Sequence, residues 1–132
     1  CAFSRPPGSP DAYVLSTDEI VRKARETVEL GGTGVMLQGG LHPDLDVAYF
    51  EDLFRTLKRE VPSLDIHSLS PPEIVYMARL GNLSVRDVLA RLRAAGLDSL
   101  PGGGAEISRS RSEHLRHQAS RGRCRQRIPR ER

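Results

Sequence analysis

The residues of this sequence that could bind a ligand are concentrated in three short turns, at residues 38–43, 67–73 and 101–106. In the last turn, Pro101 and three glycines leave backbone N–H and C=O groups free of side-chain cover, and Glu106 adds a carboxylate acceptor beside them. The histidines and serines of the other two turns both donate and accept hydrogen bonds. Together the turns indicate a site for a polar ligand, although a plain strand-to-helix turn would explain the glycines of any one turn taken alone.

Each turn is preceded by a short apolar stretch that is typical of a buried strand. These stretches are residues 35–37, 64–69 and 97–100. Helical patterns lie between them, and the repeated order of strand, turn and helix predicts the α/β class with a parallel sheet. Because ligands bind at the carboxyl ends of the strands in such sheets, we expect the three turns to converge on one edge.

The helices that position these turns have clear start signals. Ser16 with Glu19, Ser70 with Glu73 and Ser84 with Asp87 have the spacing of a serine cap and an acidic residue that reaches back to it. Pro71 fits the first position of its helix, where a missing N–H costs nothing. Apolar positions recur at helical spacing in each segment, and the predicted inner faces are Ile20, Ala24, Thr27 and Val28; Val47, Phe50, Leu53, Phe54 and Leu57; and Val85, Val88, Leu89 and Leu92.

The chain of 132 residues is one domain in length and shorter than the roughly 250 residues of a complete eight-fold barrel. It has no apolar run long enough to span a membrane and no signal peptide, so we expect a cytoplasmic protein without a membrane partner. Its two cysteines, Cys1 and Cys124, lie in different segments, which argues against a disulfide framework. A first residue that is cysteine suggests that the sequence begins inside a longer chain.

The net charge of +3 is divided unevenly along the sequence. Residues 1–107 carry a net charge of −4, whereas residues 108–132 carry nine arginines and a net charge of +7. This second segment has hardly any apolar residues and is predicted to be a disordered basic tail. It could be an RNA-binding arm, but we favour an out-of-frame reading of coding sequence, because the strand and helix units stop at Ile107.

Five separated blocks of residues 1–107 resemble the radical S-adenosylmethionine (SAM) enzymes of the futalosine route to menaquinone, in particular the cyclic dehypoxanthinyl futalosine synthases. The blocks occur in the family's order, and they are Cys1-Ala2-Phe3 with Arg5 and Pro6, residues 12–16, residues 38–43, residues 67–74 and residues 95–107. The resemblance implies a partial (β/α) barrel of the radical SAM type, truncated at both ends. It covers residues 1–107 and leaves out the tail.

The resemblance also implies roles for individual residues. Cys1 matches the third cysteine of the family's CxxxCxxC motif, whose thiolates hold a four-iron four-sulfur cluster. Residues that match the family's SAM-binding positions are Gln38, Gly39, Gly40, Ser68 and Glu106. His67 is implied for the substrate pocket, and His42 and Ser70 are further substrate candidates, although a histidine before proline is also a common cap of a turn. No catalytic proton-transfer residue is implied.

The reaction implied is the cyclisation of dehypoxanthine futalosine, started by a 5′-deoxyadenosyl radical from SAM, with an electron donor such as flavodoxin or ferredoxin. Aminofutalosine synthase and the deazaflavin-forming (FO) synthase are the nearest alternatives. Gln38 and the Ser70-Pro71-Pro72 sequence fit the first of these less well, and the glycines after Pro101 depart from the Pro-Gly-Thr-Ala form associated with the second. A non-catalytic RNA-binding fragment is an alternative from another class, but no nucleic-acid partner is expected. With one cluster cysteine, the chain as written is expected to be inactive alone.

Overall fold

The computed structural model of the protein describes Arg5 and residues 8–102. Within this part of the chain it has four helices and two strands, which are α1 (Thr17–Glu29), β1 (Gly34–Leu37), α2 (Val47–Glu60), β2 (Asp65–Ser68), α3 (Pro71–Leu80) and α4 (Val85–Ala95). The order of elements matches the predicted alternation of strands and helices, so the α/β class is confirmed. Residues 8–16, before α1, form irregular structure, as Gly8 and Pro10 predict.

The two strands form a parallel pair in which Gly34 is opposite Asp65 and Leu37 is opposite Ser68. On the other side of β2, Ser99 forms an isolated parallel bridge with His67, and its carbonyl accepts the N–H of Ser68 at 3.1 Å. β2 is therefore central. The predicted third strand at residues 97–100 is reduced to this one bridge, because Pro101 has no N–H with which to continue a ladder.

One face of the sheet is covered by the helices. Ile66 is fully buried, and Val35 and Leu37 pack against the same core as Phe54 and Leu57 of α2. Successive side chains of a strand point to opposite faces, so Met36 and His67, which are opposite each other, share the second face. Met36 is 63% exposed, which shows that this second face is open in the part of the chain that the structure describes.

The helices start where their capping residues predict. The side chains of Ser16, Asp46 and Ser84 accept the N–H groups of residues 19, 49 and 87 at the starts of α1, α2 and α4. Ser70 precedes α3 with Pro71 at the first position, but its side chain accepts no backbone N–H and instead donates to Glu73. Two of the three predicted caps, Ser16 and Ser84, therefore have the expected hydrogen bond, and Asp46 is a cap that was not predicted. Among the described helices, none is long and apolar enough to cross a membrane.

Several predictions fall outside the described residues. They are the cluster ligand Cys1, the SAM-binding residue Glu106, and the disorder of residues 108–132 with the boundary at residue 107. These stay predictions.

Candidate functional site

The carboxyl ends of β1 and β2 form one edge of the sheet, here called the C-terminal edge and made of residues 37–40 and 67–70. Leu37 and Ser68 are opposite each other at the ends of the two parallel strands, so Gln38 and Leu69 leave the sheet side by side. The bridge at Ser99 orients the third segment in the same direction. The predicted convergence is thus confirmed for the first two turns, whereas Glu106 of the third lies beyond the described part.

The first turn is a glycine loop whose N–H groups are held by a side chain from α3. Glu73 accepts the N–H of Gly39 at 3.1 Å and that of Gly40 at 2.9 Å, both through Oε1. Its second oxygen accepts the hydroxyl of Ser70. Gly40 has a φ of +71°, a conformation that glycine adopts at little cost. Glu73 therefore reaches back to Ser70 as expected, but it accepts the side-chain hydroxyl of Ser70, and its other oxygen is used by two glycine N–H groups that were not predicted as its partners.

The second turn leaves β2 through a strained residue. Leu69 is fully buried and has a φ of +63°, which is rare for a residue with a branched side chain. Its N–H donates to the carbonyl of Leu37 at 2.9 Å, and the hydroxyl of Ser68, also fully buried, donates to the same carbonyl at 2.8 Å. Because Ser68 has given its proton to Leu37, it can offer a ligand only its oxygen lone pairs.

His67 lies on the open face of the sheet, next to this edge. Its Nδ1 is 2.6 Å from the hydroxyl of Ser99 on the neighbouring segment, and the ring is partly exposed. This hydrogen bond fixes the orientation of the ring and leaves its Nε2 facing away from Ser99. His67 therefore lies on the uncovered side of the strands, and its role in a substrate pocket stays a prediction.

His42 and Ser70 occupy different surroundings. Nδ1 of His42 accepts the N–H of Asp44 at 3.2 Å, so this ring caps the turn that leads into α2. Ser70 is half-buried between the glycine loop and α3, and its hydroxyl proton is given to Glu73. The structure thus brings Ser70 to the glycine loop, while His42 supports the backbone two residues further along the chain, at Asp44.

A surface groove outside this edge has few polar side chains that could bind a ligand. It lies on α4, is lined by Leu89, Ala90, Arg93 and Ala94, and has Arg93 as its one charged side chain. By contrast, the C-terminal edge combines glycine backbone with serine, histidine and glutamate side chains, and nothing lies within 4 Å of the positions where side chains of Gly39 and Gly40 would begin. This open, polar edge is the better site for a charged ligand.

The edge can be compared with the needs of the two cofactors that the resemblance implies. SAM carries ammonium, carboxylate and ribose hydroxyl groups, and the serine oxygens and loop carbonyls of this edge are suitable acceptors. The cluster needs thiolates. Arg5 and residues 8–102 include no cysteine, and this part of the chain has no group of three His, Cys, Asp or Glu residues that could hold a metal ion. The described residues therefore fit SAM, and Cys1 lies outside them.

A parallel α/β sheet with a glycine loop at its carboxyl edge defines a class of ligand-binding domain. The family model described as the radical SAM superfamily matches residues 1–128. The chain belongs to the radical SAM superfamily, whose members are enzymes that use a four-iron four-sulfur cluster and SAM.

The chain is similar to several curated members of this superfamily. The cyclic dehypoxanthine futalosine synthase of Halalkalibacterium halodurans is 48% identical over 107 residues, which are 81% of this chain and 29% of the relative. That of Streptomyces coelicolor is 47% identical over 108 residues, 81% of this chain and 27% of the relative. The FO synthase of Nocardia farcinica is 48% identical over 107 residues, 81% of this chain and 12% of the relative. The resemblance seen in the sequence is confirmed, and the chain spans less than a third of each relative.

Proposed function

We propose that this chain contributes part of a radical SAM enzyme that cyclises dehypoxanthine futalosine in menaquinone biosynthesis. The observation that carries the proposal is the C-terminal edge, where a glycine loop and the His67 to Ser70 turn lie side by side on adjacent parallel strands. The identity of 48% to a cyclic dehypoxanthine futalosine synthase supports a reaction of this group of enzymes.

The proposed architecture is a partial (β/α) barrel. In a doubly wound sheet helices cover both faces, whereas in a barrel they cover only the outer one. Here the helices pack on the face that carries Ile66, and the face with Met36 and His67 is open among the described residues. This one-sided packing favours the barrel, with the open face turned toward its interior.

The proposed roles are those that the resemblance implies. Gln38, Gly39, Gly40 and Ser68 bind SAM at the C-terminal edge together with Glu106, and His67, Ser70 and His42 lie toward the substrate. Cys1 is the proposed cluster ligand. When bound, the reduced cluster and SAM supply a 5′-deoxyadenosyl radical, and an electron donor such as flavodoxin or ferredoxin supplies the electron. The protein's own task is to orient the bound molecules and to exclude water around them.

FO synthase activity is the second candidate. The relative of that name from Nocardia farcinica is as similar to this chain as the first futalosine relative is. The sequence Pro101-Gly102-Gly103-Gly104 still favours the futalosine reaction. The two reactions use different substrates, so they are separable by assay.

A pair of chimaeras tests the choice. Residues 1–107 of this chain replace the matching segment in the Halalkalibacterium halodurans synthase and, separately, in the Nocardia farcinica FO synthase, and each product is assayed under anaerobic conditions. We expect the first chimaera to form the cyclic futalosine product and the second to lose most of its FO-forming activity. Activity only in the second chimaera would favour FO synthesis, and cleavage of SAM by neither would contradict both candidates.

A further inference from the structure

Glu73 is a buried carboxylate that no predicted role uses. It is 5% exposed, and burying a carboxylate is costly unless hydrogen bonds replace the lost water. Three donors do so here, namely the N–H groups of Gly39 and Gly40 and the hydroxyl of Ser70. All three only donate to it, as an ionised carboxylate requires.

The surroundings of Glu73 differ from those of Glu51, the other buried glutamate of the described residues. Glu51 is 7% exposed and pairs with Arg91 and Arg55, which join α2 to α4 and to the next turn of α2. Glu73 has no ion pair within the described part of the chain, and its partners belong to the predicted SAM loop and the predicted substrate turn. Glu51 thus stabilises the helical layer, whereas Glu73 joins two parts of the candidate site.

The glycine loop depends on this one side chain for its position. Gly39 and Gly40 have no side chains to pack, they are exposed, and Gly40 has a left-handed backbone. Hydrogen bonds are therefore what can hold the loop, and both of the loop N–H bonds go to the same oxygen of Glu73. Since Glu73 is rooted in the first turn of α3, the loop is fixed relative to Ser70 as well.

We propose that Glu73 is a positioning residue that fixes the Gly39–Gly40 loop for the binding of SAM and ties it to the Ser70 turn. The inference rests on the proposed function for its ligand and on the three hydrogen bonds for its geometry. It assigns Glu73 no contact with the reacting atoms. Its effect reaches the ligand through the loop.

The first experiment measures amide exchange at Gly39 and Gly40 by NMR in the chain itself. Glu73→Ala removes the acceptor, and both amides should exchange about ten- to a hundred-fold faster, the range expected for hydrogen bonds to a charged acceptor. Glu73→Gln keeps a carbonyl acceptor and should retain most of the protection. Glu19→Ala is the matched control, because Glu19 has the same place after its capping serine but makes no contact with a loop. Unchanged exchange in Glu73→Ala, or equal acceleration in Glu19→Ala, would overturn the inference.

The second experiment measures the affinity of the same variants for SAM, which a purely structural role would not change. We expect Glu73→Ala to weaken binding about ten-fold, with Glu73→Gln and Glu19→Ala within about three-fold of the parent. Faster loop exchange with unchanged affinity would overturn the positioning role. The parent chain could show the expected exchange pattern but no binding of SAM. In that case the ligand of the proposed function is wrong, and the conclusion that Glu73 fixes the loop is retained.

Discussion

The two edges of the small sheet are built in different ways. At the amino ends of the strands, here called the N-terminal edge and made of residues 33–34, 64–66 and 96–98, charged side chains hold the backbone in place. At the C-terminal edge, glycines, a left-handed leucine and neutral hydrogen-bond donors surround one buried carboxylate. Both edges are hydrogen-bonded, the first through an ion pair and the second through a carboxylate that has no ion pair among the described residues.

Lys58 and Asp98 form the centre of the N-terminal edge. Nζ of Lys58 lies 2.8 Å from a carboxylate oxygen of Asp98 and donates to the carbonyl of Leu64, also at 2.8 Å. The same carboxylate accepts the N–H of Ile66 at 2.7 Å. This network links α2, β2 and the segment after α4. Its hydrogen bonds and ion pair therefore join parts of the protein to one another. This contrast agrees with the proposal that the C-terminal edge binds the ligand, while the N-terminal edge serves stability.

The largest expected effect tests the N-terminal edge. Asp98→Ala removes the acceptor of Ile66 N–H and the partner of Lys58, and should lower the free energy of unfolding by about 1–2 kcal/mol, reduced from a fully buried value because the side chain is 40% exposed. Urea unfolding of the chain measures this. Asp52→Ala, which removes an ion pair of an 83% exposed carboxylate, is the control and should cost less than about 0.5 kcal/mol. If the two variants lost the same free energy of unfolding, Asp98 would contribute no more to stability than an exposed surface charge.

A smaller effect is expected at the C-terminal edge. Gly40→Ala puts a side chain on a residue with φ +71°, where nothing lies within 4 Å, so the cost is backbone strain alone, about 1 kcal/mol. Gly39→Ala has the same free space without the positive φ and should cost less than about 0.5 kcal/mol. Thermal unfolding of the two variants compares them. If Gly39→Ala were the more harmful, the loop would not have the backbone described here.

The smallest expected effect is on how the free energy of unfolding depends on pH in the acidic range. The hydrogen bond from Lys58, and then that from Ile66 N–H, lower the pKa of Asp98 below its usual value. A carboxyl group whose pKa is lower in the folded state adds stability above its unfolded pKa of about 3.9 and loses it as the pH falls through the folded value. Unfolding free energies measured from about pH 5 downward should therefore fall more steeply for the parent than for Asp98→Asn. Identical slopes would show that Asp98 does not contribute.

The helices could be predicted closely from local signals. The five residues predicted for the inner face of α2 are all buried, and Ser16 and Ser84 cap their helices as predicted. The errors concern which residues of a helix face the core, because tertiary packing decides how each helix is rotated about its axis. Val21 is buried on α1 in a place not predicted, and Val85 of α4, predicted to face inward, is 42% exposed. Periodicity identifies a stripe of apolar residues on a helix. It does not determine which side of that stripe packs against the neighbouring helix.

The candidate site could be predicted only in part. Gln38 and Ser68 were correctly predicted to lie at one edge. The strands and turns are recognisable from local patterns, and parallel pairing puts the carboxyl ends of both strands at the same edge. The bonds of Glu73 to Gly39 and Gly40 could not be seen, since they join residues of two different strand and helix units. The same holds for the hydrogen bond between His67 and Ser99. A glutamate three residues after a capping serine predicts a local bond, and the nearby glycine N–H groups appear only in the folded chain.

The most direct measurement is a titration of the ¹⁵N-labelled chain with SAM, followed by the chemical shifts of its backbone amides. If the C-terminal edge is the binding edge, the shifts change at residues 38–40 and 68–70 and stay constant at residues 33–34, 64–66 and 96–98. Adenosine at the same concentrations serves as the control for contacts of the base and ribose alone. Changes centred on the N-terminal edge, or none at the C-terminal edge at millimolar SAM, would contradict the assignment of the binding site.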